Sequence, residues 1–181
     1  MSKTKKTVLT GLFSAITAIF SQIAVPLPLT PVPVTLSLAA VFFSGFTLTP
    51  GCAFFSMITY LLLGLAGVPV FAGFKGGLPS LMGPTGGFLL AYPAMAWLIS
   101  FASGKLKVHG KIKTALLYVM LMIAALTVCY AAGALWFSVI ALGGFGDVKK
   151  AFTLCVLPFL PADAAKIALT AFVTINMKNR I

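Results

Sequence analysis

The chain has 181 residues, of which 60% are hydrophobic and only 8% charged, and its mean hydropathy is +1.10. Those values lie well outside the soluble globular range and point to a single all-α integral membrane domain over residues 1–181. The formal net charge of +11 does not make it a nucleic-acid binder, because the basic residues stand between apolar runs and at the two ends rather than in stripes interleaved with aromatics on a soluble fold.

A hydrocarbon core about 30 Å thick needs roughly 20 apolar residues of helix. The opening MSKTKKTVLTGLFSAITAIF has the basic-then-apolar layout of a signal peptide, but no small-x-small cleavage site with a polar region after it follows. It is read as a retained first span over 8–25. The connector VPLPLTPVPV at 25–34 favours extended backbone with few amide donors, either as a stiff flap over a cavity or as a rigid turn between helices. Residues 34–70 are apolar and uncharged, too long for one span, and Pro50-Gly51 divides them into helices over 34–49 and 52–68.

The next connector, PVFAGFKGGLPSLMG at 69–83, runs into Pro84-Thr85-Gly86-Gly87 at the head of a fourth span over 84–103. Glycine lets backbone approach a ligand closely, and a helix N-terminus offers free N–H groups. A fifth span covers 114–142 and a sixth covers 152–177, the last containing Pro158 and Pro161. With these six spans, Lys3, Lys5, Lys6, Lys105, Lys107, Lys111, Lys113, Lys178 and Arg180 fall on one side, and Lys75, Lys149 and Lys150 on the other. The charge bias makes the first side cytoplasmic. Both termini are therefore expected in the cytoplasm, as an even number of spans requires.

Enzyme chemistry finds few residues to work with. Asp147 and Asp163 are the only acidic residues and His109 the only histidine, in a Lys-rich connector without partners. H-E-x-x-H is absent, and so is G-x-x-x-x-G-K-[ST], so neither zinc proteolysis nor ATP hydrolysis on that pattern is available. Cys52, Cys129 and Cys155 stand in or beside apolar runs, form no metal-type cluster and are read as inert thiols. No metal or cofactor is expected, and any energy source belongs to partner subunits.

The charged residues inside a span are Asp163 and Lys166, in LPFLPADAAKIALTAFV. Each costs about 2.5–3.5 kcal/mol at a helix centre on insertion scales, and their i, i+3 spacing puts them on one face. Either they neutralise each other as an intrahelical ion pair, or they bind a small ligand with an anionic end and hydrogen-bond donors. In the first span Gly11 and Ala15, with Ser14 and Ala18, form small-x-x-x-small pairs that suit close helix packing, internal or against a separate membrane subunit.

Three segments together, TPVPVTLSLAAVFFSG at 30–45, YLLLGLAGVPVFAGFKGGLPSLMGPTGGFLLAY at 60–92 and PADAAKIAL at 161–169, resemble the BioY family, the biotin-specific substrate-binding (S) components of energy-coupling factor (ECF) transporters. The resemblance runs over essentially the whole chain. It implies six helices in a plasma membrane, with biotin captured on the outward face and passed to a transmembrane coupling subunit that works with two ATPases. By position, Asp163 and Lys166 match the family's polar pair, Gly83, Thr85 and Gly86 its Gly-Pro-Thr-Gly-Gly segment, and Thr35 its P-V-P-[IV]-T segment. Phe74, Lys75 and Tyr92 complete the expected ligand contacts, and Gly11, Ser14, Ala15 and Ala18 the expected docking face. Asp163 suits the ureido N–H groups of biotin, and Lys166 is the expected cation for its carboxylate, with Lys75 in the external glycine-rich connector as the rival. A self-contained secondary carrier or channel for a small carboxylate, monomeric or homodimeric, is the competing expectation.

Overall fold

A computed structural model of the chain describes residues 2–28, 30–106, 110–144 and 148–178. Lys107, His109, Asp147 and Arg180, which entered the charge and site expectations, lie outside the described residues.

Helix α1 runs over Lys3–Gln22, with the Ser2 hydroxyl accepting the Lys5 N–H at 3.3 Å as its N-cap. It starts earlier than the expected 8–25 because the basic residues are adequate helix formers and Ser2 supplies a cap. It also ends earlier, as the chain turns extended ahead of Pro26. The proline-rich connector then closes into a hairpin, β1 (Ala24–Leu27) against β2 (Thr30–Thr35). The strands are antiparallel, pairing Ala24 with Thr35 and Val25 with Val34, with an irregularity between Val25 and Leu27. A two-stranded ribbon tolerates prolines because each strand has an edge that needs no ladder donor.

Helices α2 (Ser37–Thr47) and α3 (Pro50–Leu65) follow. The break falls where Pro50-Gly51 placed it: Pro50 takes the first turn of α3, where its missing N–H costs nothing. Ser100 donates its hydroxyl to the Leu48 carbonyl at 2.6 Å, tying the corner to the fourth span. A short α4 (Leu78–Met82) precedes α5 (Gly86–Lys105), and α6 covers Lys111–Leu142. The 32 residues of α6 extend about 48 Å at 1.5 Å per residue, well beyond the hydrocarbon thickness.

The expected sixth span over 152–177 is broken. It consists of α7 (Val148–Cys155), a 3-10 turn (Leu157–Phe159) and α8 (Leu160–Lys178). Pro158 and Pro161 are the cause, since proline has no N–H to donate within a helix and its ring crowds the carbonyl of the preceding turn. The break makes Asp163 a first-turn residue of α8, where the helix dipole favours a carboxylate.

Among the described residues, three segments are long and apolar enough to cross a membrane: Gly86–Lys105, Lys111–Leu142 and Lys149–Asn176. Leu12, Phe55, Leu62, Met120 and Phe172 are exposed on the outer surface, while Phe42, Met57, Tyr60, Met95, Ile99 and Met122 are fully buried. An apolar exterior around a packed interior is what lipid requires. A close seam joins α5 and α6. A Cβ on Gly133 would fall 2.3 Å from the Phe88 ring, and one on Gly87 2.3 Å from Trp136 Cβ. Trp136 then donates its indole N–H to the Gly83 carbonyl at 3.0 Å, holding the glycine-rich segment to α6.

Candidate functional site

One end of the bundle encloses a cavity of about 220 Å³, bounded by the hairpin, the head of α2, the 71–85 region and α5, α6 and α8. A site for one water needs only about 15 Å³, so this space suits a small organic molecule. Its walls are largely apolar and aromatic, including Phe71, Phe88, Leu89 and Phe159, with polar groups converging at three places.

The first is the floor. Lys166 Nζ lies 2.6 Å from Asp163 Oδ1, and the Tyr130 hydroxyl donates to Asp163 Oδ2 at 2.6 Å. Asp163 is 2% and Lys166 5% exposed, so these charges have left water and face the cavity. Lys166 uses one of its three N–H donors on Asp163, and both Asp163 oxygens keep spare lone pairs. The floor therefore offers a strong donor beside a strong acceptor.

The second is a run of hydroxyls on one wall. Thr35 Oγ1 lies 2.6 Å from Ser37 Oγ, which lies 2.7 Å from Tyr92 Oη. The Tyr92 ring stacks on Tyr60 with 6.4 Å between centroids. The third is the mouth, where Lys75 lines the opening but remains exposed.

Of the residues expected at the ligand, Thr35, Lys75, Gly83, Thr85, Tyr92, Asp163 and Lys166 line the cavity. Phe74 and Gly86 do not. Phe74 is 73% exposed, turned outward by a left-handed backbone (φ 55°) while its neighbours Phe71 and Lys75 form a bridge. Gly86 is buried against α4, where an added Cβ would sit 1.7 Å from the Leu81 carbonyl oxygen. Its role is close packing. On α1, Gly11 and Ala15 are exposed and nothing lies within 4 Å of a Cβ built on Gly11. Ser14 instead points inward at 1% exposure with no partner for its hydroxyl, and Ala18 is half-buried against the core. Only part of that small-residue set therefore forms an open face.

Tyr130, Ser37 and Tyr60 were not expected at the site. Tyr130 carries a signal in retrospect, a phenol in the middle of an apolar span that must find a partner when buried. Its pairing with a residue 33 positions away is not readable from local pattern. Among the described residues no group of three or more His, Cys, Asp or Glu side chains could hold a metal ion.

The fold and site define a helical membrane protein with an internal, polar-floored cavity. The family model "BioY family" matches residues 1–181. The chain is 36% identical over 166 residues to the "Probable biotin transporter BioY" of Pyrococcus horikoshii, covering 92% of this chain and 91% of that one. It is 33% identical over 169 residues to the "Biotin transporter BioY" of Thermotoga maritima, covering 93% and 92%. A solved structure described as the S-component for biotin from an ECF-type ABC transporter superposes with a TM-score of 0.86 at 24% identity, over 99% of this chain and 95% of that one, and shares its fold. The chain belongs to the BioY family. It is a transport protein rather than an enzyme.

Proposed function

We propose that this chain is the biotin-binding S component of an ECF-type importer, capturing biotin from outside and presenting it to a transmembrane coupling subunit driven by two ATPases. Family membership and the biotin transporters it resembles support the ligand, and the absence of a phosphate-binding loop from the sequence is consistent with ATPases on other chains.

The observation that carries the reading is the 2.6 Å contact between Lys166 Nζ and Asp163 Oδ1 on the cavity floor. A cyclic urea presents an N–H donor next to a C=O acceptor, and the pair presents the complementary acceptor and donor side by side. Asp163 accepts a ureido N–H while Lys166 donates to the ureido oxygen. The same distance argues against Lys166 as the carboxylate's cation, because the bicycle and four methylenes of biotin separate its two polar ends. Lys75 at the mouth then meets the carboxylate, and the aromatic walls cover the bicycle.

In this reading six segments span a plasma membrane with both termini in the cytoplasm, and the cavity opens outward. The hairpin, the 66–85 connector and the head of α8 share the outer end, on the side poorer in Lys and Arg. The exposed Gly11 and Ala15 of α1 form the surface for the coupling subunit. Titration of the purified chain with biotin, desthiobiotin, lipoate and thiamine tests the ligand. Tight binding of the two ureido compounds alone is expected, and equal or absent binding of all four contradicts the assignment.

A further inference from the structure

Lys75 is exposed and stands on a glycine-rich turn, so something must hold that turn for a cation to stay at the mouth. The last residues of α1 do so. The Gln22 side-chain amide donates to the Pro69 carbonyl at 3.3 Å and the Phe71 carbonyl at 3.2 Å, while its oxygen accepts the Phe74 N–H at 3.0 Å. Between them, the Val70 carbonyl accepts from the Ser21 hydroxyl and, at 3.3 Å, from Tyr60 Oη. Three successive carbonyls, 69, 70 and 71, are thus fixed by side chains from outside the turn.

The turn needs this help. Phe71 and Lys75 exchange backbone hydrogen bonds at 2.9 and 3.2 Å, closing a five-residue loop. Phe74 inside it has φ of 55°, a conformation that a bulky non-glycine residue holds only when its surroundings over-determine it. The Gln22 oxygen on the Phe74 N–H is a restraint applied at that residue. Gln22 itself does not line the cavity, whereas Ser21 and Lys75 do.

The structure assigns to Gln22 the part of a positioning residue for biotin: it holds the 69–75 turn in the form that points Lys75 at the ligand carboxylate. This rests on the reading of Lys75 given above. Because Gln22 acts through Lys75, its removal must weaken recognition of the charged end of the ligand and leave the ureido end alone.

The test compares biotin with biotin methyl ester, which lacks the anionic charge, on wild type, Gln22→Ala, Lys75→Ala and the double variant, by titration of the full chain. The shape-keeping Gln22→Met serves as a second variant in case alanine disturbs folding. Wild type is expected to lose about tenfold or more on esterification, the amount that one charge-assisted contact supplies. Gln22→Ala and Gln22→Met are expected to bind biotin about tenfold more weakly, with ester binding nearly unchanged, and the double variant no more weakly than Lys75→Ala. If both ligands weaken equally in the Gln22 variants, or the losses in the double variant add, Gln22 is a structural residue and the proposal fails. A wild type indifferent to esterification overturns the Lys75 assignment and the role of Gln22 with it, while a penalty that survives both Gln22 variants unchanged overturns the role of Gln22 alone.

Discussion

Tyr130 on α6 and Lys166 on α8 grip the same carboxylate from opposite sides, the phenol on Asp163 Oδ2 and the ammonium on Asp163 Oδ1, each at 2.6 Å. A self-neutralising ion pair would need only the lysine. The added phenol orients the carboxylate in the cavity and leaves one face of each oxygen for a ligand. Removing the phenolic hydroxyl in Tyr130→Phe is therefore expected to weaken biotin binding by about 1.5–3 kcal/mol, the range for a hydrogen bond to a charged group. The esterification penalty should stay as in wild type, since the change is at the ureido end. Titration of both ligands against the variant checks this, and unchanged biotin affinity would remove Tyr130 from the site.

The ion pair itself separates a structural from a binding role. Asp163→Ala and Lys166→Ala should each weaken biotin binding by about 2–5 kcal/mol, through lost contacts and a charge left buried without a partner. The double change to alanine should recover thermal stability while still failing to bind. Recovery of binding in the double variant would show that the pair serves only the fold.

Much of this arrangement was legible in the sequence, and the parts that were not have identifiable causes. The break at Pro50, the glycine-rich approach to α5 and the Asp163/Lys166 pair follow from local chemistry, namely proline geometry, backbone permissiveness and the cost of charge in lipid. The broken sixth span was missed although Pro158 and Pro161 stood in view, because its composition still reads as one apolar helix. The proline-rich connector announced extended backbone but not its pairing partner, and only the register of Ala24 on Thr35 makes it a hairpin. Tyr130, Ser37 and Gln22 act across 33, 55 and about 50 residues of chain, distances at which periodicity carries no information. Phe74 was expected at the ligand from its place in a matching segment, and a single left-handed residue turned it outward.

The α5–α6 seam gives a prediction about stability. Gly133→Ala places a methyl where the Phe88 ring now lies, 2.3 Å from the nearest ring carbon. Overpacking of this kind costs about 1–3 kcal/mol, so thermal unfolding in detergent should shift down, and biotin binding should weaken because Phe88 lines the cavity. An unchanged unfolding temperature would mean that the seam gives way more easily than its geometry implies.

The open face of α1 predicts a separation of assembly from capture. A Cβ added at Gly11 has nothing within 4 Å and Ala15 is exposed, so leucine at either position should leave biotin binding nearly unchanged. Co-purification with the coupling subunit should be lost, since close helix approach needs small residues there. Loss of both together would mark the face as internal packing.

Orientation is open to cysteine labelling from outside intact cells. A probe at Ser80 should react and one at Lys113 should not, given the side richer in Lys and Arg. Labelling at Lys113 in preference to Ser80 would invert the topology and turn the cavity toward the cytoplasm.

The central claim, that Asp163 and Lys166 read the urea of biotin, is tested most directly by comparing biotin with 2-iminobiotin, which carries a guanidinium in place of the urea. The change leaves the carboxylate and the bicycle intact but replaces the ureido oxygen, the acceptor for Lys166, with a cationic donor. Titration at neutral pH should show at least about 100-fold weaker binding of iminobiotin, as expected when a buried charge meets a like charge instead of its acceptor. Equal affinity for the two ligands would contradict the assignment of Lys166 to the ureido oxygen and with it the orientation of biotin in the cavity.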